Sequence, residues 1–184
     1  MHATRILMEE HRLIEGVLAS LEAAIARLND GQPVRPGFFV DAADFIRGFA
    51  DGCHHRKEED VLFPAMESAG VPRQGGPIQV MLTEHEEGRR LTRSMREAAE
   101  RLEAGHTQAK DQVVSSADSY VALLRQHIGK EDHVLFPMAD EVLDASRQAE
   151  VTAAFERIEH EETGADIHER YLAVAQALER ETKE

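Results

Sequence analysis

Two stretches of this chain set a histidine four residues ahead of a glutamate and then spell Val-Leu-Phe-Pro. The first is His54-His55-Arg56-Lys57-Glu58-Glu59-Asp60-Val61-Leu62-Phe63-Pro64. The second, 73 residues on, is His127-Ile128-Gly129-Lys130-Glu131-Asp132-His133-Val134-Leu135-Phe136-Pro137. Residues i and i+4 of a helix lie one turn apart on the same face, so each copy presents an imidazole beside a carboxylate. Two such pairs facing one another bring two nitrogens and two carboxylates to one interior point, the donor set of a metal site.

The repeat reaches further back. Glu10-His11 precedes His54 by 43 residues and Glu84-His85 precedes His127 by 42. The chain therefore reads as two helical hairpins in tandem, each with a His on its first helix and His-x3-Glu on its second. Four helices in up-down order with a metal held between facing helices is an established bundle design. His55 and Glu59 share the i, i+4 spacing, but position 55 corresponds to Ile128, which offers no donor. The expected set is therefore His11, His54, Glu58, His85, His127 and Glu131.

A lone His on an apolar helix face is more often a satisfied core residue than a ligand, but four related by a repeat weigh differently. Burying two carboxylates costs roughly several kcal/mol per ion unless a cation neutralises them. Lys57 and Lys130 directly precede the glutamates, yet adjacent helix positions point about 100° apart. A metal resolves the imbalance. Four imidazoles and two carboxylates exceed one tetrahedral zinc. They suit two metals, each with two His, joined by two Glu that span the pair, with positions left open for a small molecule. These donors fit iron, manganese or zinc, and affinity order alone selects none of them. Ferritin-like sites use paired Glu-x-x-His instead. Here Met8, Leu82 and Leu124 stand three before His11, His85 and His127, and only Asp51 before His54 approximates that pattern. The His-Glu-x-x-His protease signature is also missing.

The elements that must position these residues read as helices throughout. A first helix is expected over about 4–29, with Thr4 as N-cap, Gly31 and Pro33 as its stop, and His11 within the stripe Leu7, Ile14, Leu18, Leu21, Ile25 and Leu28. A second begins near Pro36 and carries Phe38, Phe45, Ile46 and Phe49 into His54. Pro64 implies a kink or end near Leu62, followed by a turn to Gly70. Pro72 to Pro77 connects the hairpins. A third helix, about 78–104, carries His85 on a face with Met81, Thr92, Met95 and Ala99, and a fourth runs from about 108 through Glu131. A further segment, roughly 146–182 and interrupted at Gly164, has helical periodicity but no counterpart in the repeat. The division expected is a bundle over 1–144 and a C-terminal helix over 145–184 packed on it.

Composition narrows the class of partner. Of 184 residues, 35 are Asp or Glu and 21 Lys or Arg, a formal charge of −14 that argues against nucleic acid or an anionic membrane. Seven Phe, two Tyr and no Trp favour helix over strand. The absence of an apolar run long enough to span a bilayer, and of a leader pattern, points to a cytoplasmic protein. One cysteine excludes an intramolecular disulfide and a thiolate cluster.

His11, His54-x3-Glu58, His85 and His127-x3-Glu131, with Leu-Phe-Pro after both motifs, resemble the hemerythrin-like, or HHE cation-binding, family over about residues 4–144. The resemblance implies an all-α, up-and-down four-helix bundle holding two non-heme irons. His11, His54, His85 and His127 would be terminal ligands, with Glu58 and Glu131 as bridges. Such proteins bind or process dioxygen, nitric oxide or peroxide, sense iron or oxygen, or help repair iron centres. Oxygen-carrying members place His-x3-His on the third helix, where this chain has Arg89 four after His85. They also use His-x4-Asp on the fourth; Asp132 has that spacing from His127, but the repeat prefers Glu131. One His fewer suits reaction with peroxide or nitric oxide better than reversible oxygen carriage.

Other residues have weaker claims. His160 in the C-terminal segment is either a fifth His capping the site or a solvent-facing residue in a charged stretch, and Tyr171 lies on nearly the same helical face. Tyr120, seven before His127, is a hydrogen-bond donor behind the ligands or an ordinary buried Tyr. Glu15 orients His11 or lies at a surface edge. Cys53 reads as a small buried residue, and His2, His106 and His133 as surface. The leading function is redox handling of a small diatomic or peroxide ligand, with an electron donor of unspecified kind. The rivals are an iron or oxygen sensor and a structural metal bundle.

Overall fold

A computed structural model describes residues 2–183 and, within them, all side chains except those of residues 36 and 160–168. Every regular element among the described residues is helical. The helices are α1 (Ala3–Asn29), α2 (Pro36–Phe45), α3 (Phe63–Ser68), α4 (Pro77–Glu103), α5 (Lys110–Lys130), α6 (Phe136–Val142) and α7 (Ala145–Lys183). Wide π-helical stretches at Ile46–His55 and Glu58–Leu62 weld α2 to α3, and another at Glu131–Leu135 welds α5 to α6. The result is four rods in up-down order, with α7 as a fifth.

The prolines do not end their rods. Neither Pro64 nor Pro137 has an N–H to continue an α-helical ladder, and a wider turn absorbs each. The Phe63 N–H reaches back five residues to the Glu58 carbonyl, and the Phe136 N–H to that of Glu131. The expected end near Leu62 is thus a change of helix pitch, and the rod continues to Ser68 before Gly70 turns it at φ +100°. Thr4 is not the N-cap of α1. That position is His2, and the Thr4 hydroxyl instead donates to Asp140 Oδ1 at 2.8 Å.

Nor does Gly164 interrupt α7, which runs unbroken through it. A mid-helix glycine costs only about 1 kcal/mol, and both flanks of α7 are anchored. Val151 and Phe155 enter one apolar cluster, and Ala175 and Leu178 enter another. Burying a side chain of the size of Phe155 stabilises by roughly 1.5–3 kcal/mol. α7 lies along both α1 and α2, whereas α1 and α2 touch each other little. It wedges into the seam between the first two rods.

The core is split. One cluster gathers Leu7, Leu62, Phe63, Met81 and Phe136; the other gathers Ile14, Phe49, Leu91, Tyr120 and Leu124. Between Leu7 and Ile14 on α1, and between Met81 and Leu91 on α4, stand His11 and His85. A polar layer crosses the bundle at that level.

Candidate metal centre

That layer holds all six residues singled out by the repeat. His11, His54, Glu58, His85, His127 and Glu131 are each at most 1% exposed. Their donor atoms, together with those of His55, form two groups compact enough for one cation each: His55, Glu58, His85 and His127, and His11, His54, Glu58 and Glu131. Glu58 belongs to both. Its Oε1 lies 3.7 Å from His54 Nε2 and its Oε2 3.4 Å from His85 Nε2. Glu131 spans in the same way, with Oε1 3.2 Å from His127 Nε2 and Oε2 3.2 Å from His11 Nε2.

The outward nitrogens explain why the inward ones are available. His11 Nδ1 donates to Asp132 at 2.7 Å, His54 Nδ1 to Glu10 at 2.8 Å, His85 Nδ1 to Glu59 at 2.6 Å and His127 Nδ1 to Glu84 at 3.0 Å. An ionised carboxylate only accepts, so each of these rings, when neutral, carries its proton on Nδ1 and turns a lone pair inward from Nε2. Cations back the carboxylates in turn: Lys57 on Glu10, Lys130 on Glu84, Arg12 on Asp132 and Arg89 on Glu59. The Phe of each Leu-Phe-Pro also has a partner in the layer. Phe136 stacks on His11 at 5.4 Å between ring centroids, and Phe63 on His85 at 6.1 Å.

The charges in the layer are unbalanced without a cation. His85 Nε2 and His127 Nε2 face each other at 3.2 Å, a contact that requires a proton on one of them or a cation between them. Both oxygens of Glu58, both of Glu131, and Nε2 of His11 and of His54 are buried without a hydrogen bond, although such groups are expected to be satisfied. Burial and the neighbouring Glu131 charge push the Glu58 carboxyl well above the usual range. Burial acts on Glu131 in the same sense, but His127 and His11 outweigh it and hold Glu131 well below. Burial would lower His127, yet Glu131 and Glu84 bring it up to about 9. Converging imidazole lone pairs around two orphaned carboxylates fit metal cations.

Sequence reasoning set His55 aside, and the structure puts it in a donor group. Its ring is 4% exposed, stacks on His85 at 3.9 Å, and has an Nδ1 with no hydrogen bond. The comparison with Ile128 assumed the same backbone in both copies. In fact His54 and His55 end the π-helical stretch Ile46–His55, whose wider turns let consecutive residues both face the interior. Gly48 and Gly52, which weaken a regular helix, were the available signal; Val121 and Arg125 replace them in the second copy.

The remaining expectations divide. Glu10, Glu59, Glu84 and Asp132, which hold the imidazoles, lie within or beside the repeated phrases, and the i, i+4 spacing does not mark that role. His11 is oriented by Asp132, while Glu15 pairs with Arg12 at 2.8 Å. Tyr120 is buried with its hydroxyl unpartnered, so it is neither a donor behind the ligands nor a satisfied core Tyr. Tyr171 packs between Phe45 and Phe49, its ring close over Gly48, where a Cβ would meet it. It serves the α7 seam. The side chain of His160 lies outside the described residues. His2, His106 and His133 are exposed.

On one side the layer opens. A cavity of about 300 Å³ between the second rod and α4 has His55, His85 and Tyr120 at its inner wall.

A family model described as "Hemerythrin HHE cation binding domain" matches residues 2–139. The uncharacterized proteins Rv1995 of Mycobacterium tuberculosis (strain ATCC 25618 / H37Rv) and Mb2018 of Mycobacterium bovis (strain ATCC BAA-935 / AF2122/97) are each 30% identical to the chain over 159 residues. The match covers 86% of this chain and 61% of each relative, so the chain spans about three fifths of their length. No solved structure matches the chain.

Proposed function

The chain belongs to the hemerythrin HHE cation-binding domain family, and from that premise we propose that its buried layer is a non-heme di-iron centre that binds and reacts with dioxygen, peroxide or nitric oxide. The His55, Glu58, His85 and His127 group would hold one iron, and the His11, His54, Glu58 and Glu131 group the other. When bound, the iron pair supplies the change of valence and the Lewis acidity that such ligands require. The protein supplies the rest. Four carboxylates fix the imidazole tautomers, and the apolar clusters above and below the layer exclude bulk water.

The observation that carries this reading is the cavity ending on His55 and His85. A ligand can reach that group from solvent without disturbing the other one. Counting His55, the layer offers five imidazoles, so the case against oxygen carriage that rested on four no longer applies. The open approach is what favours exchange and reaction over storage.

Metal analysis of protein purified without added metal is expected to give about two irons per chain, with an optical spectrum that changes as peroxide or nitric oxide is added. Many equivalents of peroxide consumed per site would establish catalysis. Zinc, or a metal indifferent to all three ligands, would remove the redox reading.

A second reading has its own observation. Lys57 links Glu10, the partner of His54, to Glu159 on α7. That chain of contacts would let metal occupancy alter how α7 docks, as a sensor requires. Stoichiometric saturation without turnover, accompanied by a change in α7 protection from hydrogen exchange, would favour it.

A further inference from the structure

The cavity at the open side is too large for a diatomic ligand alone. A molecule of that size needs about the room of one water, ~30 Å³, and the cavity offers about 300 Å³, the lower end of the range for sites that enclose organic molecules. Its lining is sorted by depth. Ala43, Ile46 and Gly88 give an apolar wall, and His55, His85 and the Tyr120 ring close the inner end. Arg47, Arg89, Arg93 and Arg96 also line it, against a single lining carboxylate, Asp51.

In a chain with a net charge of −14, four guanidinium groups around one cavity call for a reason. Arg89, Arg93 and Arg96 follow one face of α4 at i, i+4 and i+7, where like charges repel. Arg89 is engaged by Asp51, Glu59 and Glu86. Arg47 and Arg96 both turn to Asp44, and Arg96 also to Glu100. Arg93 makes no ion pair or side-chain hydrogen bond among the described residues. At the other end Tyr120, 1% exposed, closes the cavity.

We propose that this cavity binds a small organic carboxylate, its anion held by Arg93 with Arg47 and Arg96 beside it and its apolar body lying over Gly88 toward Tyr120. A guanidinium fork pairs with a carboxylate through two parallel hydrogen bonds. The apolar wall selects against inorganic anions, which have no body to bury. The occupant would then stand at the approach to His55 and His85 and control what reaches the metal centre. The site is read from the cavity and holds whichever metal the centre carries.

Benzoate is a suitable probe, with benzyl alcohol as the uncharged analogue of similar shape. Calorimetric titration of the protein as purified is expected to show saturable binding of one benzoate, at least about tenfold tighter than benzyl alcohol. Arg93→Ala should weaken benzoate by about tenfold or more and leave benzyl alcohol unchanged. Gly88→Leu, whose Cβ starts 3.7 Å from Tyr120 at the inner end of the cavity, should abolish both. Metal content measured on each variant is expected to match the parent, so failure here is distinct from failure of the di-iron reading. No benzoate binding at 20-fold above about 1 mM would overturn the proposal. So would binding that is indifferent to Arg93 and Gly88 while shifting the metal's optical spectrum, since the carboxylate would then be a ligand of the metal itself.

Discussion

The two hairpins carry nearly the same metal-binding phrase and make different things of it. In the second, α5 is a regular helix through His127 and Ile128, and Ile128 enters the apolar cluster below the layer. In the first, the π-helical stretch Ile46–His55 brings His54 and His55 both inside, and His55 borders the cavity. The cations differ as well. Lys57 is fully buried between Glu10 and Glu159, while the side chain of Lys130, on Glu84, is 42% exposed. α7 covers the first hairpin at this point and has no equivalent over the second. A sequence repeat therefore conserves the ligands' chemistry, while backbone pitch and an added helix decide which side of the site is open.

The largest effect should come from the one residue common to both donor groups. Glu58→Ala is expected to lose nearly all bound metal and to lower the thermal midpoint, because metal affinity is folding energy. Glu131→Ala removes a member of only one group, so it should retain more metal than Glu58→Ala. Equal losses would mean that the two carboxylates bridge symmetrically. Next comes the position where the hairpins part. His55→Ala should lose about one metal per chain by elemental analysis. Ile128→Ala should keep its metal and lose roughly 2–5 kcal/mol of stability as a core truncation. Full metal in His55→Ala would return the site to the symmetric set read from the repeat.

A smaller difference is expected behind the ligands. Glu10→Gln and Glu84→Gln each weaken the carboxylate that orients a ligand imidazole, at a cost of about 10–100-fold in metal affinity. Glu10→Gln should also cost stability, because Lys57 stays buried with only Glu159 to balance it, whereas Lys130 can turn to water. Paired denaturation curves on the metal-free variants test this. Equal stabilities would show that α7 contributes nothing to the Lys57 site.

What was legible in the sequence and what was not follow from this same contrast. The all-helical bundle, the hairpin boundaries and the residues that reach the polar layer come from periodicity and from a repeat that the eye can align. His55 was lost because alignment assumes equal pitch, and a π-helical stretch breaks that assumption at Gly48 and Gly52. The roles of Glu59 and Asp132 were hidden for another reason. Each serves a histidine on the other hairpin, His85 and His11 respectively, and no local spacing records that crossing. The Gly164 break was misread because one glycine weighs less than the apolar anchors on either side of it.

The smallest test concerns a residue with no part in metal binding. Cys53 precedes His54 as Gln126 precedes His127, yet Cys53 is buried and Gln126 exposed. On a regular helix the two would share a face. Burial pushes the Cys53 thiol up to about 11, with Lys57 opposing that shift and the charge of Glu10 adding to it. Only the thiolate reacts with iodoacetamide, and a free thiol ionises near about 8.5. At pH 8 Cys53 should therefore be alkylated at least about a hundredfold more slowly than a cysteine placed in the second hairpin by Gln126→Cys in a Cys53→Ala background. The neutral thiol is the form the fold favours, so the rate at Cys53 should climb as pH rises toward about 11. Comparable rates at pH 8 would place Cys53 on a solvent face. The π-helical stretch would then not be turning the first hairpin inward, and the case for His55 as a ligand would weaken with it.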